Sequence, residues 1–176
     1  LNRNFWISKL FQLVVIMRDE SGFASLPVID IGPLLGAPSD SEAYRTVVSE
    51  IGHACRHVGF FYVCNHSVPE ELIERLTSLS RAFFAQDIAV KNEISMDKGG
   101  KAWRGFFPVG GEMTSGLPDQ KEGLYFGTQL SDAENAADPR PLHGQNLYPS
   151  SIGGVEVGRT MQSVVEEYMR RLQALG

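Results

Sequence analysis

The sequence predicts an α/β (α+β) fold in which strand, helix, strand and helix follow one another from residue 26. Short β-branched runs alternate with stretches of helical period, turn-forming residues mark each change, and capping residues stand ahead of each helical stretch.

The first strand is read in Leu26-Pro27-Val28-Ile29-Asp30-Ile31, which is β-branched and closed by Gly32-Pro33. Its proline suits an edge position, since proline cannot donate to a ladder. A helix is expected next. Ser39-x-x-Glu42 has the form of a capping box, and Tyr44, Val47, Val48, Ile51, Cys55 and Val58 recur at helical spacing. Gly59 ends that helix. Phe60-Phe61-Tyr62-Val63-Cys64 is of strand length and composition, and Asn65-His66-Ser67 reads as a turn. The second helix is expected to have Ser67 as its cap, Pro69 in its first turn, and Glu70 and Glu71 at the positive end of its dipole. Its apolar face, Leu72, Leu76, Leu79 and Phe83, is expected to pack on the first helix and the strands.

From Asp97 to Gly127 glycines multiply among Trp103, Phe106, Phe107, Tyr125 and Phe126, which predicts extended segments and turns rather than helix. Residues 128–154 show no period and read as a long functional or crossing loop. A helical period returns in Met161, Val164, Val165, Tyr168, Leu172 and Leu175, giving an apolar stripe that this chain is not expected to cover fully. Three parts are therefore expected. Residues 1–25 form an extension, disordered or, before Met17, not native; residues 26–154 form the main region; residues 155–176 form a helix leading onward.

The chain has 176 residues, 43% hydrophobic and 21% charged, with 16 basic and 21 acidic residues and a net charge of −5. No basic stripe of the kind nucleic acid requires is present, so no nucleic-acid partner is expected. Residues 5–16 are apolar but too short and interrupted to span a bilayer, and the charged Met17-Arg18-Asp19-Glu20 that follows is no cleavage site. No membrane partner is expected. Cys55 and Cys64 are too few for a disulfide scaffold, which points to a reducing, cytoplasmic setting.

His53, Cys55, His57, Cys64 and His66 are five potential metal ligands close in sequence. Helical spacing sets His53 and His57 on one face and Cys55 on the stripe expected to face the core. A zinc site is therefore the poorer explanation, and a buried Cys55 beside surface histidines the better one. The sequence contains no nucleophile elbow, phosphate loop or Cys-x-x-Cys pair. Gly110-Gly111 and Gly153-Gly154 read as turns, and Glu50, Glu74 and Glu93 as solvated helix positions.

Taken in order, several stretches resemble the N-terminal region of the isopenicillin N synthase-like iron(II)/2-oxoglutarate-dependent dioxygenases. They are Pro27-Val28-Ile29-Asp30-Ile31, Gly59-Phe60-Phe61-Tyr62-Val63-x-Asn65-His66, Phe83-Phe84 with Lys91, Arg104-Gly105-Phe106, Asp119-x-Lys121-Glu122 with Phe126-Gly127, and Pro141-Leu142-His143-Gly144-x-Asn146-x-Tyr148-Pro149. The resemblance implies an α/β region that packs on a double-stranded β-helix, or jelly-roll, as its C-terminal partner. In such proteins that partner carries a His-x-Asp…His triad for iron(II) and an Arg-x-Ser pair for 2-oxoglutarate. None of His53, His57, His66 and His143 is followed at the second position by Asp, and no arginine by Ser. The jelly-roll is therefore expected to be missing here, no catalytic or metal residue is assigned, and neither iron(II) nor 2-oxoglutarate is expected to bind this chain.

The function implied is that of an N-terminal fragment, inactive alone, of an oxygenase acting on a small organic molecule. The alternative is a truncated stand-alone binding or regulatory module. One substrate-binding candidate is named: Arg104, whose guanidinium beside Trp103 and Phe106 could grip a carboxylate. The competing explanation is a structural ion pair of Arg104 with Glu112 or Glu122. Asn65-His66 reads as turn chemistry, with Asn65 accepting a local backbone bond, rather than as a ligand pair.

Overall fold

The computed structural model describes residues 26–173 and 175, and the expectations for the extension 1–25 lie outside the described residues. The chain divides into two compact units, one running to Ser67 together with Leu175, the other from Val68 onward.

In the first unit, β1 (Val28–Asp30) pairs in parallel with β2 (Tyr62–Cys64), Val28 opposite Tyr62 and Ile29 opposite Val63. The ladder continues at both ends, where Tyr62 donates its N–H to the Pro27 carbonyl at 2.8 Å and Ile31 donates to Cys64 at 3.1 Å. Phe60 and Phe61, expected in the strand, precede it. Short α1 (Gly32–Gly36) and α2 (Glu42–His57) make the crossover that a parallel pair requires. The cap of α2 is Ser41, whose hydroxyl accepts the Tyr44 N–H at 3.2 Å, and not the expected Ser39. The Pro38 carbonyl takes the Ser41 N–H at 2.9 Å, so residues 38–41 form a turn and the helix starts after it. At its end, Val58 and Gly59 both donate to the Ala54 carbonyl, and Gly59 has the positive φ of 93° that such a stop needs.

Ile29, Ile31, Val47 and Ala54 form the core of this unit, with Leu34, Ile51 and Phe61 against them. The stripe is not the expected one. Val48 and Cys55 are exposed, each one position beyond the residues that are buried. One residue turns an α-helix by about 100°, so the choice of Val47 and Ala54 carries their neighbours outward. The single methyl of Ala54 also lets the helix backbone approach the strands closely.

In the second unit, α3 (Glu70–Phe84) starts at Pro69, which takes the cap position without a side-chain hydrogen bond. Ser67, the expected cap, has left-handed backbone with φ 58°. Glu70 and Glu71 stand in the first turn as expected. After α4 (Ile88–Lys91), residues Met96–Ala102 form a 3₁₀ segment where extended chain was expected. Lys98 braces it by donating to the carbonyls of Asn92 and Glu93 at 3.0 and 2.9 Å. β3 (Gly105–Phe107) then pairs antiparallel with β6 (Gly123–Tyr125), around a hairpin of β4 (Met113–Thr114) and β5 (Leu117–Pro118).

The expected long loop, residues 128–154, contains α5 (Asp132–Ala137), started by a capping box between Ser131 and Glu134, and β7 (Ser151–Ile152), which forms a small hairpin with β8 (Val155–Glu156) just beyond it. Gly153-Gly154 turns that hairpin, both with positive φ, as a two-residue turn of the primed type demands. α6 (Gly158–Gln173) closes the unit and packs against α3. Met161, Val164 and Val165 are buried, while Leu172 on the same stripe is exposed.

The core of this unit is Phe83, Ile94, Phe106 and Ile152, with Phe83 edge-on to Phe106 at 5.9 Å. Lys91 is buried beside it. Its ammonium stands 5.4 Å above the Phe106 ring, pairs with Glu122 at 2.7 Å and donates to the Phe84 carbonyl at 3.3 Å. No helix among the described residues is long and apolar enough to cross a membrane.

Candidate functional site

Arg104 lies between the 3₁₀ segment and β3, and the backbone on either side of its contacts is unusual. Trp103 has φ 51°, a region that bulky residues rarely enter, and its indole is 59% exposed. Leu142 has φ 65° and its side chain is likewise exposed. The two segments are tied together: Leu142 donates its N–H to the Lys101 carbonyl at 2.8 Å and its own carbonyl accepts from Arg104 Nη2 at 3.0 Å. Backbone held in such regions costs on the order of 1–3 kcal/mol and collects at functional sites.

The guanidinium covers Gly127. A Cβ at that position would overlap Cζ, Nη1 and Nη2 of Arg104, so only glycine leaves the side chain where it lies. Gly127 is in turn held by buried Asn146. Asn146 Oδ1 accepts the Gly127 N–H at 2.8 Å, and Nδ2 donates to the Gly127 carbonyl at 2.7 Å. The Asn146 N–H is fixed by Gln129 Oε1 at 2.9 Å. Next to it Phe126 stacks on Tyr148 at 5.2 Å. Burial, with the Glu166 charge as a lesser cause, pushes the Tyr148 phenol up to about 12.

The ion pairs weighed for Arg104 are not formed. Glu112 accepts the Tyr125 hydroxyl at 2.7 Å and pairs with Lys121 at 3.0 Å, which together hold its carboxyl below the usual range. Glu122 belongs to Lys91. Among the described residues, the hydrogen-bond partner of Arg104 is the neutral Leu142 carbonyl, no carboxylate compensates its charge, and its Nε is buried without a partner. Phe106, expected beside the guanidinium, is instead in the core under Lys91. A fixed guanidinium with an uncompensated charge is suited to a planar anion, above all a carboxylate.

The histidine and cysteine cluster has a different outcome. His53 and His57 lie side by side on α2, ring centroids 4.4 Å apart, with Cys55 exposed rather than in the core. Among the described residues no three His, Cys, Asp or Glu side chains converge to hold a metal, so these residues do not fit an iron site. Asn65 adopts φ 55° as a turn residue, and its side-chain amide donates to Asp30 Oδ2 at 2.8 Å. His143 pairs with Asp138, whose carboxyl is held well below the usual range by the Arg140 side chain first.

Sequence reasoning singled out Arg104 but assigned no role to Gly127, Leu142 or Asn146, although each falls in a segment it had marked. A glycine directly after Tyr125-Phe126, and an asparagine directly before Leu147-Tyr148 in a loop, were the available signals.

The profile of the family described as non-haem dioxygenase in morphine synthesis N-terminal matches residues 26–151. A probable iron/ascorbate oxidoreductase of Dictyostelium discoideum is 47% identical over 127 residues, covering 71% of this chain and 35% of that protein. A 1-aminocyclopropane-1-carboxylate oxidase of Dictyostelium mucoroides is 36% identical over 132 residues, 75% of this chain and 34% of that protein. A homoarginine-6-hydroxylase of Oryza sativa is 30% identical over 160 residues, 88% of this chain and 47% of that protein. The chain thus spans about a third of the length of the first two and about half of the third.

Proposed function

We propose, because this chain belongs to the non-haem dioxygenase N-terminal family, that it is the N-terminal region of an iron(II)- and 2-oxoglutarate-dependent oxygenase whose small organic substrate carries a carboxylate. The match over residues 26–151 carries the assignment to this enzyme class. In that role the chain works in the cytoplasm, needs neither nucleic acid nor a membrane, and has a jelly-roll as its packing partner. Iron(II) with 2-oxoglutarate supplies oxygen activation coupled to decarboxylation. The described residues present no ligand set for the metal, so its ligands would belong to the jelly-roll.

The contribution proposed for this chain is a substrate clamp. Arg104 holds the substrate carboxylate, supported by its uncompensated charge and its fixed position over Gly127. The name of one relative, a 1-aminocyclopropane-1-carboxylate oxidase, includes such a group. Trp103 and Leu142, both exposed next to Arg104, give an apolar flank for the rest of the molecule.

Anaerobic calorimetry on the purified chain tests the assignment, with iron(II), 2-oxoglutarate and a zinc control. The expected result is no stoichiometric uptake of iron. Tight one-to-one binding would overturn the division of labour and shift attention to His53, His57, Cys64 and His66. Extending the chain with the coding sequence that follows it should yield 2-oxoglutarate turnover. A stop codon with no jelly-roll would favour a binding module.

A further inference from the structure

We propose that Gly127 and Asn146 form a positioning device for Arg104: the asparagine clamps the Gly127 peptide, and that peptide seats the guanidinium so that its Nη edge is presented to a carboxylate. The proposal rests on the reading of Arg104 as a carboxylate clamp.

Three observations lead to it. First, the position of the guanidinium leaves one of its donors unmatched. A buried donor without a partner is uncommon and costly, yet Nε of Arg104 is buried with none. The one Nη2 bond to Leu142 does not by itself fix its plane, and the surface it covers is Gly127. Second, Gly127 cannot drift. The two hydrogen bonds from Asn146 grip its N–H and its carbonyl, and the Gln129 side chain fixes the Asn146 backbone. Third, the Leu142 carbonyl engages Nη2 from the side at 3.0 Å, leaving Nη1 and the remaining Nη2 hydrogen for a ligand. A guanidinium seated before the ligand arrives loses less freedom on binding than a mobile one, which is how a positioning residue acts through another.

Glycine at 127 is not required by the backbone, because its φ lies outside the left-handed region. The atoms a Cβ would overlap there belong to the far end of one flexible side chain. Gly127→Ala is therefore expected to fold and to move Arg104 alone. That makes it a clean perturbation.

The test uses the whole chain, labelled with nitrogen-15, and follows the Arg104 Nε–Hε resonance, assigned by its loss in Arg104→Lys. In the wild type this proton is expected to exchange slowly with water, since it is buried, and to shift saturably on titration with acetate. In Gly127→Ala it should become fast-exchanging, and the apparent acetate affinity should fall by about tenfold, the loss of roughly one well-placed hydrogen bond. Asn146→Asp keeps the acceptor for the Gly127 N–H and loses the donor to its carbonyl. It should give an intermediate loss with an unchanged backbone spectrum of β3 and β6. A Gly127→Ala protein with wild-type exchange and wild-type acetate affinity overturns the positioning device while leaving Arg104 as a clamp. If acetate never shifts the wild-type Arg104 signal but Gly127→Ala still releases Nε, the clamp fails and the seating stands.

Discussion

Replacing Glu122 with Ala removes one half of the buried Lys91–Glu122 pair and leaves an ammonium with 9% of its side-chain surface exposed. The partners that remain are the Phe84 carbonyl at 3.3 Å and the face of Phe106 at 5.4 Å. At 2.7 Å the gross attraction of the pair is about 6 kcal/mol for an effective dielectric of about 20. Most of that offsets the desolvation of the two ions, but stripping one ion away leaves the other's penalty standing, typically about 3–5 kcal/mol. Because two weaker partners persist, the expected cost is about 3 kcal/mol, the low end of that range. For a chain of this size that corresponds to a fall in Tm of roughly 6–12 °C, read by circular dichroism.

Lys91→Met should cost less than half as much, because Glu122, 23% exposed, can turn to water. Lys91→Met combined with Glu122→Leu should return within about 1 kcal/mol of wild type, as buried pairs often do when replaced by apolar residues. If Glu122→Ala shifts Tm by under 2 °C, or if the two single changes are additive, the electrostatic account of this pair is refuted.

Phe83→Ala, at a side chain with no exposed surface and edge-on to Phe106, should cost about 3–5 kcal/mol by urea denaturation. Iodoacetamide should label Cys55 before Cys64, since Cys55 is exposed and Cys64 half-buried; the reverse order by mass spectrometry would contradict the rotation of α2. The Tyr148 phenol, pushed up to about 12 by burial, stays neutral in the fold while an unfolded tyrosine ionises near about 10. Its contribution to stability is then complete below about pH 10 and is lost as pH rises towards about 12, so Tyr148→Phe should flatten that decline in alkaline thermal melts.

The alternation of strand and helix could be read from residues 26–84 because apolar spacing and punctuation agree there, and β1, α2, β2 and α3 stand in that order. The rotation of α2 could not be read. Val48 and Cys55 score as more hydrophobic than Ala54, and only the geometry of β1 and β2 shows that a small residue is wanted at the contact. The start of α2 was misplaced because Ser39 and Ser41 are both good caps, and the Pro38 turn that decides between them is a matter of backbone geometry. The Ser131-x-x-Glu134 signature of α5 was present and overlooked among polar neighbours. Arg104 was found by type and by its aromatic neighbours, but its surroundings depend on contacts across long stretches of chain, the Leu142 carbonyl lying 38 residues away. No periodicity reports such contacts.

The parallel pairing of β1 with β2 also sets a timetable. All of α1 and α2 separates Val28 from Tyr62, so a chain being synthesised exposes Ile29 and Ile31 before their ladder partner exists. At about 5–20 residues per second that interval is roughly 2–7 seconds. Among the described residues, the apolar groups made during it that pack with the two isoleucines are Leu34 and the Val47, Ile51 and Ala54 stripe of α2. A helix that forms within microseconds can act as their temporary shelter. Changes that slow α2, such as loss of the Ser41 cap, should therefore leave the newborn chain more open to chaperones and proteases than its final stability would suggest.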